Sequence, residues 1–205
     1  MEKKTGSITL KVYQAILEDI TRGHYSLSDY LTEKELMERH GASRAPIREA
    51  LIQLQSDRFI RSIPRHGYRI DKPSEEEYMD IVAFRIKLEC AFFRSFHRMI
   101  SNEKIRQLRR VCDQYSSEEK KDYIGLWKSN TAFHCELFAS YDNDYALRVL
   151  KEAMSRQFLN YVEVAKETFP EADLHYAFLD YLEKGNIQTA ATLLEADIGK
   201  IVTIG

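Results

Sequence analysis

Two arginines near the start of a predicted helix have a spacing suited to reading nucleic-acid bases. Arg44 and Arg48 are four residues apart, so they share one helix face. A guanidinium group donates two hydrogen bonds to O6 and N7 of guanine, a contact worth about 1–3 kcal/mol of discrimination between bases. Ser43 and Pro46 belong to the same first turns, and Lys34 lies on the preceding predicted helix, where a cation suits a phosphate. These five residues predict a surface that enters a DNA major groove.

A second set of candidate DNA contacts lies between two short runs of alternating apolar and polar residues. Arg65, His66 and Gly67 occupy the tight turn that these runs predict. A cation at such a tip suits the narrow minor groove, and a glycine permits close approach of the backbone. Taken one at a time, these residues and the two arginines are more typical of solvated charges and an ordinary turn. Their order along the chain favours DNA contact.

Four polar side chains in the second half of the chain are of types that bind divalent metal ions. Asn130 and His134 are spaced i and i+4 on one predicted helix, whereas His175 and Asp197 belong to two later predicted helices. An all-helical bundle brings such helices around a central cavity, where imidazole and carboxylate suit Zn, Ni, Mn or a similar ion. Two alternatives remain open: hydrogen-bonded histidines with a surface aspartate, or the metal centre of a hydrolase. The sequence alone does not show that the four side chains meet.

Three predicted helices followed by a β-hairpin position the two arginines. The first helix carries apolar residues at helical spacing from Ile8 to Ile20, the second starts at a capping box, and the third has Pro46 in its first turn. The runs around residues 64–67 predict two strands joined by a tight turn. Residues typical of helix caps mark the helix boundaries, namely Gly23, Thr32, Gly41 and Ser43. This order of elements is the layout of a winged helix-turn-helix.

After residue 72 the pattern changes to helices alone, and we place the domain boundary there. Ser74 begins a second capping box. The apolar residues of the helix that follows are Ile81, Phe84, Leu88, Ala91, Phe92 and Phe96. Further helices are predicted at about 102–115, 121–140, 143–167, 171–184 and 187–202. The prediction is a mainly α chain, with a winged helix-turn-helix over residues 1–72 and an all-helical bundle over residues 73–205.

Composition and charge limit the class of protein. The chain of 205 residues has 30 Lys and Arg, 32 Asp and Glu and 44% hydrophobic residues, which favours a folded, mostly helical protein over a disordered one. Residues 1–72 hold 13 Lys and Arg against 10 Asp and Glu, whereas the rest hold 17 against 22. No apolar run suits a membrane helix or a signal core, which predicts a cytoplasmic protein without a membrane partner. Three cysteines without CxxC spacing predict small core residues rather than a zinc site.

Several continuous stretches of the first part match a known family pattern. They are Leu31-Thr32-Glu33-Lys34-Glu35-Leu36, Ser43-Arg44-Ala45-Pro46-Ile47-Arg48-Glu49-Ala50-Leu51, Leu54 and Arg65-His66-Gly67-Tyr68. On these stretches, residues 12–70 resemble the DNA-binding domain of the GntR family of bacterial transcription regulators. The resemblance implies that operator DNA is touched by Lys34, Arg44, Arg48, His66 and Gly67. Lys34 departs from a common Arg, and Lys lacks the planar fork that makes a two-pronged base contact.

The second part carries a further resemblance. Its marks are Phe84-Arg85-Ile86-Lys87-Leu88-Glu89, Asn130-Thr131-Ala132-Phe133-His134, Glu171-Ala172-Asp173-Leu174-His175 and the closing segment Ala190 to Ile198. Residues 75–202 are similar to the FCD effector-binding domain of the FadR subfamily of GntR regulators. Many such domains bind a divalent metal through one Asp and three His. The positions that match these ligands here are Asn130, His134, His175 and Asp197, of which Asn130 and Asp197 depart in residue type but keep an oxygen donor.

The FCD resemblance also implies a ligand. The family pocket commonly accepts a small organic acid, whose carboxylate completes the metal coordination while arginines neutralise the remaining charge. Arg85 matches the arginine of the first FCD helix, and its alternative role is an i, i+4 pair with Glu89. Arg156, in the middle of a long predicted helix, is a second effector-binding candidate.

The sequence therefore predicts a transcription regulator that binds DNA as a homodimer and responds to a small organic acid, with a divalent metal in the sensor part. The alternatives are a regulator that senses metal alone and a metal-dependent hydrolase that uses His134, His175 and Asp197. The chain shows no HExxH, GxSxG or glycine-rich phosphate loop, so we expect no enzyme.

Overall fold

The computed structural model describes residues 2–116, 123–167 and 174–199. The chain divides into two compact units, Met1–Pro73 and Ser74–Gly205. The first is a helical unit with a two-stranded antiparallel hairpin, and the second is helical throughout its described residues. The predicted fold class is confirmed.

The first unit has three helices and a hairpin. Its elements are α1 (Glu2–Thr21), α2 (Glu33–His40), α3 (Arg44–Ser56), β1 (Ile60–Ile63) and β2 (Gly67–Ile70). Both α1 and α2 pack on α3, so α3 is central to the unit. The apolar side chains that fill its core include Ile16, Leu31, Leu36, Ile47, Leu51 and Leu54. Each such side chain contributes about 1.5–3 kcal/mol by leaving water.

The caps around α2 and α3 account for the sharp change of direction between these helices. The Thr32 hydroxyl accepts a hydrogen bond from the Glu35 amide at 3.3 Å, as the capping box predicts. Gly41 ends α2 in the left-handed conformation with φ 59°. Ser43 occupies the N-cap position of α3 with extended backbone, but its hydroxyl makes no capping hydrogen bond. The predicted side-chain cap at Ser43 is therefore wrong, and the exposed hydroxyl is left on the surface.

The hairpin is held to the helices by a third extended segment that the sequence did not predict. Ile60 pairs with Ile70 and Ile63 with Gly67 across the two strands. Leu31, just before α2, forms an antiparallel bridge with Tyr68, through hydrogen bonds of 2.8 and 3.0 Å. The strand residues next to the turn are therefore fixed relative to the start of α2.

The second unit is a bundle. Its elements are α4 (Glu75–Phe96), a 3-10 turn (His97–Met99), α5 (Asn102–Ser116), α6 (Tyr123–Ala139), α7 (Asp144–Glu167), α8 (Leu174–Glu183) and α9 (Ile187–Gly199). Helix α4 packs against both α7 and α9, α5 against α6 and α8, and α8 against α9. The sequence also places residues 121–122, 171–173 and 200–202 in helices, and these lie outside the described residues. Within the described part of the chain, no helix is both long and apolar enough to cross a membrane.

Helix α4 buries a different face from the one that its apolar residues outline. Its Ser74 cap is as predicted, with the Ser74 hydroxyl 3.1 Å from the Glu77 amide. Phe84 and Phe96 are 43% and 42% exposed. The residues that α4 buries are Tyr78, Val82, Arg85, Glu89, Cys90 and Phe93. Charged residues occupy the inner face because they satisfy one another there, and an apolar stripe is left outside.

The three cysteines are free thiols. Cys90 and Cys112 are buried, as expected for small core residues, and Cys135 is half-buried. Burial raises the pKa of the Cys90 and Cys135 thiols to about 11 in each case. Both side chains are thus protonated near neutral pH and are inert as nucleophiles.

Candidate functional site

The start of α3 presents the two arginines to solvent on one face. The Arg44 and Arg48 side chains are 71% and 62% exposed, and Ser43 next to them is exposed. Pro46, in the first turn, is buried with the core side of the helix, so its ring packs inside the unit. Of the four candidates on α3, three are therefore accessible at the end of the helix that a major groove would accept.

One carboxylate lies between the two arginines. Glu33, the first residue of α2, accepts a hydrogen bond from Arg44 Nε at 2.7 Å. Its other oxygen lies 3.3 Å from Arg48 Nε. Sequence analysis missed this contact, because Glu33 is eleven residues from Arg44 and only the packing of α2 on α3 joins them.

Lys34 is the most exposed of the predicted DNA contacts. Its side chain is 88% exposed, and its nearest acidic partner is Glu38, one turn later, at 4.0 Å. An ion pair this long and this exposed contributes little to stability. The ammonium group is therefore accessible to a phosphate.

The hairpin tip carries the exposed cation of Arg65 and a histidine, His66, whose ring stacks on a neighbouring aromatic residue. Arg65 is exposed and has φ 68°, and His66 is exposed. The His66 ring stacks on Tyr30, with centroids 5.1 Å apart, and the Arg69 guanidinium lies 5.2 Å from the same Tyr30 ring. Tyr30 and Arg69 order the hairpin tip through these contacts, and sequence analysis missed both residues. The one signal for such a contact in the sequence was an aromatic residue just before α2.

Gly67 is required by a contact within the unit. Its φ is 110°, and a Cβ atom at this position would lie 2.5 Å from the Leu31 carbonyl oxygen. The approach is this close because Leu31 and Tyr68 exchange backbone hydrogen bonds. The glycine thus allows the bridge that anchors the hairpin, whereas the sequence prediction attributed it to close approach of DNA.

In the second unit, three of the four predicted metal ligands come together. His134 on α6 and His175 on α8 both point their Nε2 atoms at Oδ2 of Asp197 on α9, at 3.0 and 3.1 Å. All three side chains are buried, and their ligand atoms lie within 4.8 Å of one another. Asn130, the fourth candidate, is buried one turn before His134 on α6. The Phe133 ring stacks on the His175 imidazole with centroids 3.9 Å apart, which fixes the ring plane.

This donor set fits a divalent cation. Ligand atoms at about 2.0–2.2 Å from a common ion lie roughly 3.0–3.5 Å from one another. The distances of 3.0 and 3.1 Å from the two Nε2 atoms to Asp197 Oδ2 are close to that spacing. Two imidazole nitrogens and one carboxylate oxygen, all shielded from solvent, form the donor set of many zinc, nickel and manganese centres. A further oxygen from Asn130 is chemically compatible with the same ions.

An outer layer of charged residues supports His134. Glu89 Oε2 lies 2.6 Å from His134 Nδ1, and Glu89 Oε1 lies 2.8 Å from Arg85 Nε. Arg85 in turn donates to Gln157 Oε1 at 2.8 Å. Burial would raise the pKa of Glu89, but the Arg85 charge and the contacts with His134 outweigh it and lower the pKa below its usual value. A carboxylate on Nδ1 directs Nε2 of the histidine toward a metal, an arrangement common in metalloproteins.

The two predicted effector-binding arginines both have carboxylate partners. Arg85 is only 2% exposed and forms the i, i+4 pair with Glu89 that the sequence offered as an alternative. Its Nη2 lies 2.8 Å from Glu89 Oε1, yet it makes no aligned hydrogen bond with the described residues. Arg156 on α7 forms a two-pronged contact with Glu77 on α4, at 2.7 and 3.0 Å.

Comparison with known families identifies both units. Residues 8–70 match the model of the bacterial regulatory proteins of the gntR family, and residues 80–200 match the FCD domain. The chain belongs to the GntR family. It carries a GntR-type helix-turn-helix region followed by an FCD domain.

Curated relatives and solved structures agree with this assignment. The chain is 33% identical over 82 residues to the HTH-type transcriptional repressor GlaR of Escherichia coli K12, a match of 40% of this chain and 37% of GlaR. It is 28% identical over 131 residues to the repressor RspR of the same organism, covering 63% of this chain and 58% of RspR. The chain thus spans less than two thirds of either relative. Its fold resembles E. coli McbR/YncC, with a TM-score of 0.71, 18% identity and 96% of both chains covered.

These comparisons also bear on the choice between a regulator and an enzyme. The families and relatives that match are transcription regulators of the GntR family. The hydrolase alternative is therefore not favoured.

Proposed function

We propose that this GntR regulator reads an operator through the exposed start of α3 and the hairpin tip. Arg44 and Arg48 contact base edges in the major groove, while Ser43 and Lys34 contact phosphates. Arg65 and His66 reach the minor groove, with Pro46 and Gly67 holding the two elements in shape. The exposure of the cations and the bracing of His66 by Tyr30 support this assignment. DNA as partner implies action in the cytoplasm.

The FCD domain of this regulator holds a divalent metal, in this proposal, at His134, His175 and Asp197, with Asn130 as a fourth donor. The observation that carries the proposal is the convergence of three buried donors from three helices on one point, with Glu89 behind His134. Relative to the Asp and three His of the family pattern, the carboxylate has moved from position 130 to position 197. The set keeps one carboxylate and so keeps its formal charge.

The effector in this proposal is a small organic acid. When bound, the ion supplies a Lewis-acidic position for a carboxylate oxygen. In this proposal Arg85 also contacts the acid through its unaligned Nη2 donor, and Glu89 and Gln157 hold its guanidinium group in place. Effector binding at Arg156 would exchange Glu77 for the effector carboxylate, which would release α7 from the first turn of α4. Membership of the FadR subfamily is part of the same proposal, and the FCD match over residues 80–200 supports it.

Regulation in this proposal runs through a homodimer. The outer face of α4 carries an apolar stripe with Phe84 and Ala91 exposed and Ile81 and Leu88 half-buried, a surface suited to a second copy of the same helix. Two copies of α3 related by a two-fold axis would match an inverted-repeat operator. An acid shifts operator affinity only by its differential affinity for the two arrangements of the dimer.

Elemental analysis of protein purified without chelator tests the metal and the effector class together when combined with a thermal-shift screen of small carboxylic acids. We expect near-stoichiometric divalent metal in the wild type, loss of the metal in the double variant His134→Ala/His175→Ala, and retention in the control His97→Ala. Acids should raise the wild-type Tm only while metal is bound. Equal metal content in the wild type and the double variant would contradict the site. An acid-induced shift that persists after chelation would mean a metal-free pocket.

A further inference from the structure

Glu33 is an acidic residue on the surface that, in the proposed function, binds DNA. A carboxylate near the phosphates weakens DNA binding of every sequence by electrostatic repulsion. Glu33 is nevertheless only 24% exposed, because its side chain lies against α3. Its backbone position is favourable, since the first turn of a helix stabilises negative charge and Thr32 caps that turn. The Glu33 side chain is therefore held in a defined position against α3.

Each oxygen of the Glu33 carboxylate lies next to one of the two arginines. Oε2 accepts from Arg44 Nε at 2.7 Å, and Oε1 lies 3.3 Å from Arg48 Nε. Two like charges at i and i+4 repel each other, and a carboxylate between them offsets that repulsion. Each guanidinium group carries five N–H donors, so a contact at Nε leaves the terminal nitrogens for another acceptor. Those terminal donors make the two-pronged contact with guanine.

Because Glu33 holds the two arginine side chains before DNA binds, they lose less conformational entropy on binding. A free arginine side chain samples many rotamers, and an ordered base contact removes that conformational entropy. An arginine that is already anchored at Nε loses less of it. Non-specific binding to phosphates does not need a fixed guanidinium plane, so it gains nothing from Glu33 and suffers its repulsion.

We propose that Glu33 is a positioning residue for DNA reading, which orients Arg44 and Arg48 and thereby raises the ratio of specific to non-specific affinity. This inference rests on the proposed reading of DNA by the two arginines. It differs from a role for Glu33 in folding, which would alter stability alone, and from simple charge neutralisation, which would weaken all DNA binding equally.

The test compares two variants that remove the same charge from α2. Glu33→Gln removes the carboxylate between the arginines, whereas the control Glu38→Gln removes a carboxylate that is 70% exposed and pairs with Lys34. The probes are a duplex selected by the wild-type protein from a random library and a shuffled duplex of the same length. Affinities are measured by fluorescence anisotropy at two salt concentrations, with the full-length protein and with Tm recorded for each variant.

We expect Glu33→Gln to bind the shuffled duplex more tightly than the wild type and to lower the specificity ratio about tenfold. Glu38→Gln should tighten binding of both duplexes alike and leave the ratio within twofold of the wild type. In the background Arg44→Ala/Arg48→Ala, Glu33→Gln should no longer change the ratio. That last comparison separates positioning from a structural effect, even if Glu33→Gln lowers the Tm.

An unchanged ratio in Glu33→Gln would overturn the inference while leaving the proposed function intact. The same loss of ratio in the double-arginine background would also overturn it, because Glu33 would then act through other residues. If the wild type enriches no sequence from the library, the proposed DNA reading fails and the inference fails with it.

Discussion

At the scale of single residues, Arg44 and Arg48 should carry sequence recognition. Replacing either with Ala should weaken binding of a selected operator about tenfold or more, because a two-pronged guanine contact is worth about 1–3 kcal/mol. Arg22→Ala is the matched control, since Arg22 is 67% exposed in the same unit and pairs only with Glu18 on α1 among the contacts described. Mobility-shift titrations measure the difference. Equal affinity for Arg44→Ala, Arg48→Ala and the control would remove both arginines from the reading set.

Glu89 provides the second prediction at this scale. Glu89→Gln should weaken metal binding about 10–100-fold, because the amide orients the His134 imidazole less strongly and leaves Arg85 with no buried carboxylate. Glu103→Gln on α5, with an exposed carboxylate, should leave the affinity unchanged. Competition with a chromophoric chelator gives the affinities. The idea fails if both variants hold the metal as the wild type does.

The sequence predicted which residues belong to the two sites, but it did not predict the contacts that hold those residues in place. The i, i+4 spacing of Arg44 and Arg48 and the donor chemistry of His134, His175 and Asp197 are local properties that the sequence shows directly. The resemblance to the GntR and FCD patterns then led to the prediction of two sites. Glu33, Tyr30 and the approach of Glu89 to His134 join residues far apart in the chain. Only the packing of helices decides such contacts, so they could not be derived from spacing.

At the scale of elements, the hairpin requires glycine at position 67, because no other residue fits there. Gly67→Ala should destabilise the first unit by about 1–3 kcal/mol from the left-handed φ alone, and by more because the new Cβ meets the Leu31 carbonyl at 2.5 Å. Gly23→Ala is the control, since Gly23 has φ 79° with nothing within 4 Å of an added Cβ. Urea unfolding monitored by circular dichroism gives both values. Equal losses would show that the close approach to Leu31 has no energetic weight.

The sequence predicted where helices begin and end, but it did not always predict which face of a helix is buried. Thr32, Gly41 and Ser74 act where the capping rules place them, because a cap is satisfied within four residues. The face that α4 buries depends on Arg85 and Glu89 finding partners on other helices. Apolar periodicity gives no sign of such a buried charged face.

At the scale of the whole molecule, the exposed stripe of α4 should hold two copies together. Phe84→Glu should convert the proposed dimer to a monomer, because an unpaired carboxylate would be buried in an apolar interface. Tyr145→Glu is the control, since Tyr145 on α7 is 71% exposed and lies outside the stripe. Analytical ultracentrifugation measures the oligomeric state, and the monomer should also bind an inverted-repeat operator more weakly. A Phe84→Glu variant that sediments as the wild type does would place the dimer contact elsewhere.

The central claim is that an acid bound in the FCD domain changes how this GntR regulator binds DNA. The most direct measurement is the affinity of metal-loaded protein for its selected operator in the presence of each acid from a panel of two- to six-carbon carboxylic, hydroxy and keto acids. We expect at least one acid to change the wild-type affinity about 5–150-fold, the usual range of allosteric coupling, and to have no effect on His134→Ala/His175→Ala. An affinity that no acid changes, or that changes equally in the variant, would contradict the account.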